Sequence, residues 1–156
     1  MSHLPIQRRI LGIDFGRARI GVAVSDELGM LAHPVETIPA RGDAVNRIAE
    51  IVREKNAERV VVGLPRHMNG SVGEAARDAL AFAEKLRAAL SCEVVTWDER
   101  LSTMAANRAL RDSGQKTRNS RSFVDQVAAQ MILQGYLDGL QTAPGRDLLR
   151  DMPSAE

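Results

Sequence analysis

Three extended segments stand in a row near the start of this chain, before any helical periodicity begins. They cover residues 8–15, 19–25 and 30–38, and only short turns connect them. Consecutive strands joined by short turns pair antiparallel, so these segments predict a three-stranded meander. The third segment contains Pro34, which has no backbone N–H to donate, and we therefore expect this strand at the edge of the sheet.

Beyond residue 40 the pattern changes to helices that alternate with strands. Strands are predicted over 57–65 and 92–100. The first of these contains the continuous apolar run Val60–Val62, which is typical of a strand buried on both faces. Helical spacing predicts helices over 43–56, 69–90, 102–114 and 123–140, with a polar loop over 115–122. The order βββαβαβαα predicts an α/β fold, in which a mixed sheet carries helices on its faces.

Two of these helices have sequence signals at their starts. Asp43 is the expected N-cap of the first helix. Ser71 and Glu74 have the spacing of a capping box, which predicts the start of the second helix.

Composition bounds the class of protein. A chain of 156 residues with 44% apolar residues is expected to form one domain, here over 1–140, with a loosely ordered tail over 141–156. The net charge of +1 gives no global basic field, so a nucleic-acid surface has to come from local clusters. Cys92 is the single cysteine, and we find no signal peptide or membrane-spanning run, so we expect a cytoplasmic protein without a membrane partner.

Carboxylates stand at three positions where the pattern predicts apolar surroundings. Asp14 ends the first strand within ILGIDFGRARIGVAVSD, and Glu99 ends the strand EVVTWDE. Alternation places Glu99 on the face of Val95 and Trp97, and Asp98 on the other face. Asp125 lies near the start of the last helix, on the flank formed by Ala128, Ala129, Ile132 and Tyr136.

Carboxylates that converge repel one another and resist desolvation, and a shared proton or divalent cations make them tolerable. Oxygen donors suit Mg²⁺ or Mn²⁺, whereas the scattered His3, His33 and His67 do not suggest zinc. Two such cations about 4 Å apart activate a water and stabilise the leaving oxygen in phosphodiester cleavage.

Each acid also has a plainer interpretation. Asp14 can form an ion pair with Arg17 or Arg19, and Glu99 can pair with Arg100. Asp125 can serve as a favourable acid in the first helical turn. The three positions together, with this strand order, favour the metal site.

The segments GIDFGRARIGVAVSD, VVVGLPRHMNGSVGEAA, DERLSTMAA and VDQVAAQMILQGYL resemble the signature blocks of the YqgF/RuvX family. The resemblance implies an RNase H-like fold with a five-stranded mixed sheet around a carboxylate site. It implies Asp14, Glu99 and Asp125 as the catalytic and metal-binding residues. Asp98 is expected as an extra ligand, or in place of Glu99 if the strand register is slipped by one residue, because a slip exchanges their faces. The resemblance also implies nuclease activity on the 5′ end of precursor 16S rRNA, or on a four-way DNA junction.

Several residues are candidates for contacts with nucleic acid. The polar loop over 115–122 carries Lys116, Arg118 and Arg121, and a loop beside a helix N-terminus carries Asn69. Arg17, Arg19 and Arg100 are expected to join the same surface. The expected partner is structured RNA or branched DNA, bound by a monomer or a homodimer.

Two other classes of function remain open at this point. The DFG of residues 14–16 after a strand also resembles the phosphate loop of the actin and sugar-kinase fold, although that fold needs two such halves. The chain can also be a nucleic-acid-binding module of ribosome assembly without catalysis.

Overall fold

A five-stranded mixed sheet forms the centre of the computed structural model, which describes residues 9–65, 73–99 and 118–141. The strands are β1 (Arg9–Phe15), β2 (Arg19–Ser25), β3 (Ala32–Pro39), β4 (Ala57–Leu64) and β5 (Glu93–Asp98). Their order in the sheet is β3-β2-β1-β4-β5. β1, β2 and β3 pair antiparallel, whereas β4 is parallel to β1 and β5 is parallel to β4. The predicted α/β fold is confirmed, with the Pro34 strand at the edge.

Helices cover both faces of this sheet. α1 (Ala44–Lys55) and α2 (Glu74–Ala89) pack on one face, and α3 (Arg118–Gln141) packs on the other. Val60 and Val62 of β4 belong to the core under α1 and α2, whereas Val61 belongs to the core under α3. The central strand is therefore buried on both faces, as its continuous apolar run predicts.

The helix starts differ from the predictions. α2 begins at Glu74 with Gly73 as its N-cap and no side-chain cap, so the predicted capping box is wrong. Asp43 occupies the N-cap position of α1, but its Oδ2 accepts a hydrogen bond from Asn46 Nδ2 at 2.6 Å and does not cap a backbone amide.

α3 begins at Arg118, so the predicted loop is wrong from that residue onward. A first turn without apolar residues gives no periodicity to detect. The predicted helix over 102–114 and the tail over 142–156 lie outside the described residues. Among the described helices, none has both the length and the hydropathy needed to cross a bilayer.

Candidate active site

Asp14 lies at the edge of the sheet where the parallel strands β1, β4 and β5 end. It is the penultimate residue of β1, two positions after Gly12. A Cβ at Gly12 would lie 2.6 Å from Leu133 Cβ of α3, so Gly12 faces α3. Side chains two residues apart share a face of a strand, and Asp14 therefore lies on the α3 face.

Glu99 reaches the same face from the last strand. In the register of β4 and β5, Gly63 pairs with Trp97 and Leu64 pairs with Asp98. Trp97 packs in the core under α3, whereas Leu64 packs in the core on the opposite face. Glu99 is 6% exposed, and its Oε1 lies 2.8 Å from the position that a Cβ of Gly63 would take. The register therefore directs Glu99 to the α3 face and Asp98 to the face of α1 and α2.

Asp125 belongs to α3 and lies at the same edge of the sheet. A Cβ at Gly21 of β2 would overlap the backbone carbonyl oxygen of Asp125, and Gly21 is the register partner of Asp14. The backbone of Asp125 therefore lies directly over the strand position opposite Asp14. The apolar flank predicted for this helix is buried, at Ala128, Ala129, Ile132 and Tyr136.

Two arginines of the β1–β2 hairpin pair with acids on opposite faces of the sheet. Arg19 Nε donates to Asp125 Oδ2 at 2.7 Å on the α3 face. Arg17 bonds Asp78 at 2.7 Å and Glu74 at 2.5 Å, both on α2. Arg17 thus pairs on the face of α2, whereas Arg19 pairs with one of the three acids on the α3 face.

A family model described as RuvX, Holliday junction resolvase, matches residues 8–139. The chain belongs to this family. A relative from Nocardia farcinica is 52% identical over 143 residues, which are 86% of this chain and 79% of that protein. A relative from Bacillus cytotoxicus is 45% identical over 134 residues, which are 83% of this chain and 98% of that protein. Both carry the name "Putative pre-16S rRNA nuclease".

Solved structures agree with the fold expected of a RuvX protein. RuvC of T. thermophilus in complex with a Holliday junction substrate superposes with a TM-score of 0.54 at 17% identity, over 87% of this chain and 98% of that chain. A second Thermus thermophilus RuvC structure gives a TM-score of 0.50 at 13% identity, over 86% and 96%. The RNase H-like fold of this RuvX chain is therefore confirmed.

Several residues predicted to contact nucleic acid lie beyond what the structure describes. Asn69, Arg100 and Lys116 fall outside the described residues. Arg118 and Arg121 belong to the first turns of α3, but their side chains are not described. Their roles in this RuvX chain stay predictions.

The donor set of the RuvX site suits a hard divalent cation. Glu99 is a buried carboxylate, and such a group needs hydrogen bonds or a cation to offset its desolvation. Oxygen donors from β1, from the end of β5 and from α3 are the ligands that Mg²⁺ or Mn²⁺ prefers. Within residues 9–65, 73–99 and 118–141, however, no three such groups are arranged as a ready set of metal ligands. Asp125 is turned toward Arg19 instead.

Sequence reasoning missed the glycines on which the site is built. Gly21 and Gly63 lie inside strands, where glycine is unfavourable unless another group must approach closely. A glycine inside a predicted strand is a signal that the sequence offers. The backbone of Asp125 approaches Gly21, and the side chains of Ile132 and Glu99 approach Gly63. The indole Nε1 of Trp97 is buried and has no hydrogen-bond partner in the described part of the chain. Nothing in the sequence predicts this.

A separate cleft lies on the other side of the sheet. It has a volume of about 500 Å³, and Phe15, Arg17, Asp43, Phe82 and Lys85 are among its lining residues. Phe15 stacks on Phe82 of α2 with ring centroids 4.7 Å apart, which closes one wall. This cleft contains none of the three acids, so it is not the candidate active site.

Proposed function

We propose that this RuvX chain is a metal-dependent endonuclease that hydrolyses phosphodiester bonds in precursor 16S rRNA. The observation that supports the proposal is that Asp14, Glu99 and Asp125 lie on the same face of the sheet, at the edge where the parallel strands end. The three acids come from β1, from the residue after β5 and from α3. A structural role for all three would not require them to share one face and one edge.

In this mechanism Asp14, Glu99 and Asp125 would hold Mg²⁺ or Mn²⁺ ions. When bound, a pair of such ions supplies an activated water and stabilises the oxygen that leaves the phosphorus. The packing of α3 on the sheet keeps the acids in place, because Ile132 and Trp97 beside them are buried. Glu99 lies deepest of the three, so we assign it the role of fixing metal position at the buried end of the site.

The proposed substrate is RNA, which the names of the relatives support. Arg19 is the described cation at this site, and Asn69, Arg100, Lys116, Arg118 and Arg121 are the further candidates for phosphate contacts. Arg118 and Arg121 precede Asp125 on α3, at the helix end whose dipole favours anions. Action on precursor rRNA places the protein in the cytoplasm, without a membrane partner.

Two neighbouring acids that face opposite ways give the sharpest test. Glu99→Gln should reduce Mg²⁺-dependent cleavage of a precursor 16S rRNA fragment at least about 100-fold, because a metal ligand is lost. Asp98→Asn is the matched control: it also replaces one carboxylate by its amide, on the other face, and should retain cleavage. Asp14→Asn should behave as Glu99→Gln does. Cleavage that persists in EDTA, or an active Asp14→Asn variant, would contradict the proposal.

A four-way DNA junction is the second candidate substrate, favoured by the description of the matched family as Holliday junction resolvase. Symmetric cleavage of a junction requires two active sites, so this function predicts a stable homodimer. Parallel cleavage of the junction and of the rRNA fragment, with gel filtration of the same protein, separates the two substrates. A monomer that cleaves only RNA supports the first proposal. A binding module without catalysis would cleave neither.

A further inference from the structure

The ion pair between Arg19 and Asp125 joins two residues that lie 106 positions apart in the chain. Arg19 begins β2 and shares a face with Gly21 and Ala23, because residues in a strand alternate. Ala23 belongs to the core under α3, and Gly21 contacts the backbone of Asp125. The hairpin therefore delivers a guanidinium to the carboxylate that the proposed function assigns to a metal.

A guanidinium and a divalent cation compete for the same carboxylate. Arg19 Nε lies 2.7 Å from Asp125 Oδ2, which is the distance of a charge-assisted hydrogen bond. Two positive groups at one carboxylate repel each other, so a metal ion that takes Asp125 disfavours the bond to Arg19.

The exposure of the two side chains permits an exchange of partners. The side chain of Arg19 is 44% exposed and that of Asp125 is 19% exposed, so neither side chain is fully buried. The backbone at Asp125 is fixed against Gly21, and only its carboxylate has to turn.

We propose that Arg19 is a positioning residue that holds Asp125 in the metal-free protein and releases it when the metal binds. The released guanidinium then faces the site where the phosphodiester lies. This inference rests on the proposed function, because it assigns Asp125 to the metal.

The experiment measures Mn²⁺ binding directly, by electron paramagnetic resonance of the free ion, in the full-length protein without substrate. Arg19→Gln removes the competing cation and should lower the half-saturating Mn²⁺ concentration about threefold to tenfold. Arg17→Gln is the matched control, because it removes the same charge two residues away from an equally short ion pair on the other face. Its half-saturating concentration should equal that of the wild type. Arg19→Lys keeps the charge and should stay close to the wild type.

The outcomes separate the two proposals. Wild-type protein that binds no Mn²⁺ at millimolar concentration overturns the metal-dependent nuclease, and this inference with it. If the wild type and Arg19→Gln have the same half-saturating Mn²⁺ concentration, the proposed role of Arg19 is overturned and the nuclease proposal stands. The same holds if Arg17→Gln lowers this concentration as much as Arg19→Gln does.

A second measurement uses the wild type, so it does not depend on the folding of Arg19→Gln. The Nε–H resonance of Arg19, assigned by its absence from Arg19→Lys, should exchange with water faster when Mg²⁺ is added. The Nε–H resonance of Arg17 should not change. An Arg19 signal that is the same with and without saturating Mg²⁺ overturns the proposal.

Discussion

Two glycines set how closely the site is packed, and they tolerate a side chain differently. A Cβ at Gly21 would overlap the carbonyl oxygen of Asp125, which is backbone and cannot turn aside. A Cβ at Gly63 would meet Ile132 Cδ1 at 2.5 Å and Glu99 Oε1 at 2.8 Å, which are the ends of side chains. The first clash moves a helix, whereas the second moves only two side-chain ends.

We therefore expect Gly21→Ala to lower the free energy of unfolding by about 3 kcal/mol, and Gly63→Ala by about 1 kcal/mol. Urea denaturation of both variants measures the difference. Both should lose cleavage, Gly21→Ala because α3 is displaced and Gly63→Ala because Glu99 is displaced. Equal stability losses would mean that α3 is not held against β2 at Gly21.

At this scale the sequence predicts which acids share a face, but not which cation meets them. Alternation along β5 and the helical period of α3 assign the faces of Glu99 and Asp125, because both rules are local. The partner of Arg19 depends on how α3 crosses the sheet. Arg17 and Arg19 lie two residues apart in the same hairpin, and the sequence does not show which of them pairs with Asp125. Only the packing of α2 and α3 on opposite faces of the sheet decides this.

At the scale of elements, two glutamines of α3 hold the edge of the sheet. Gln134 Oε1 accepts a hydrogen bond from the backbone N–H of Ala32, and its Nε2 donates to the carbonyl of Met30, both at 2.9 Å. Gln130 Nε2 donates to the carbonyl of Ala32 at 2.9 Å. The edge strand is thus fixed to α3 by hydrogen bonds between glutamine side chains of α3 and backbone groups at the edge, which no hydrophobic pattern reports. Periodicity therefore predicts the existence of β3 and α3, but not their contact.

Gln134→Leu should leave the Ala32 N–H and the Met30 carbonyl without these partners, at a cost of about 2 kcal/mol. Hydrogen exchange at the Ala32 amide should accelerate more than exchange in the centre of β1. Asp138→Ala is the control: it removes a neighbour that accepts a 3.0 Å hydrogen bond from Gln134, and leaves both backbone bonds in place. Unchanged exchange at Ala32 in Gln134→Leu would show that the glutamine bonds do not hold the edge.

At the scale of the whole molecule, the sheet separates the candidate active site from a second set of ion pairs. On the face of α1 and α2, Arg47 binds Glu36 of β3 through two hydrogen bonds, of 2.6 and 2.9 Å, and also pairs with Glu50 and Glu54. On the face of α3 lie the three acids and Arg19. Substitutions on the first face should therefore change stability without changing cleavage.

Glu36→Gln tests this separation through pH. The hydrogen bonds from Arg47 lower the pKa of Glu36 below its ordinary value of 4.5, against the opposing effect of burial. The native state therefore binds this proton less tightly than the unfolded chain. The contribution of the ion pair is complete above pH 4.5 and is lost as the pH falls through the native pKa.

At pH 7 the variant should be less stable than the wild type by about 1 kcal/mol or less, since both side chains are partly exposed. The two free energies of unfolding should converge at acidic pH, while cleavage by the folded variant at pH 7 equals that of the wild type. A stability difference that does not shrink as the pH falls would contradict the contribution of the ion pair, and slower cleavage by the folded variant would show that the two faces are coupled through β3.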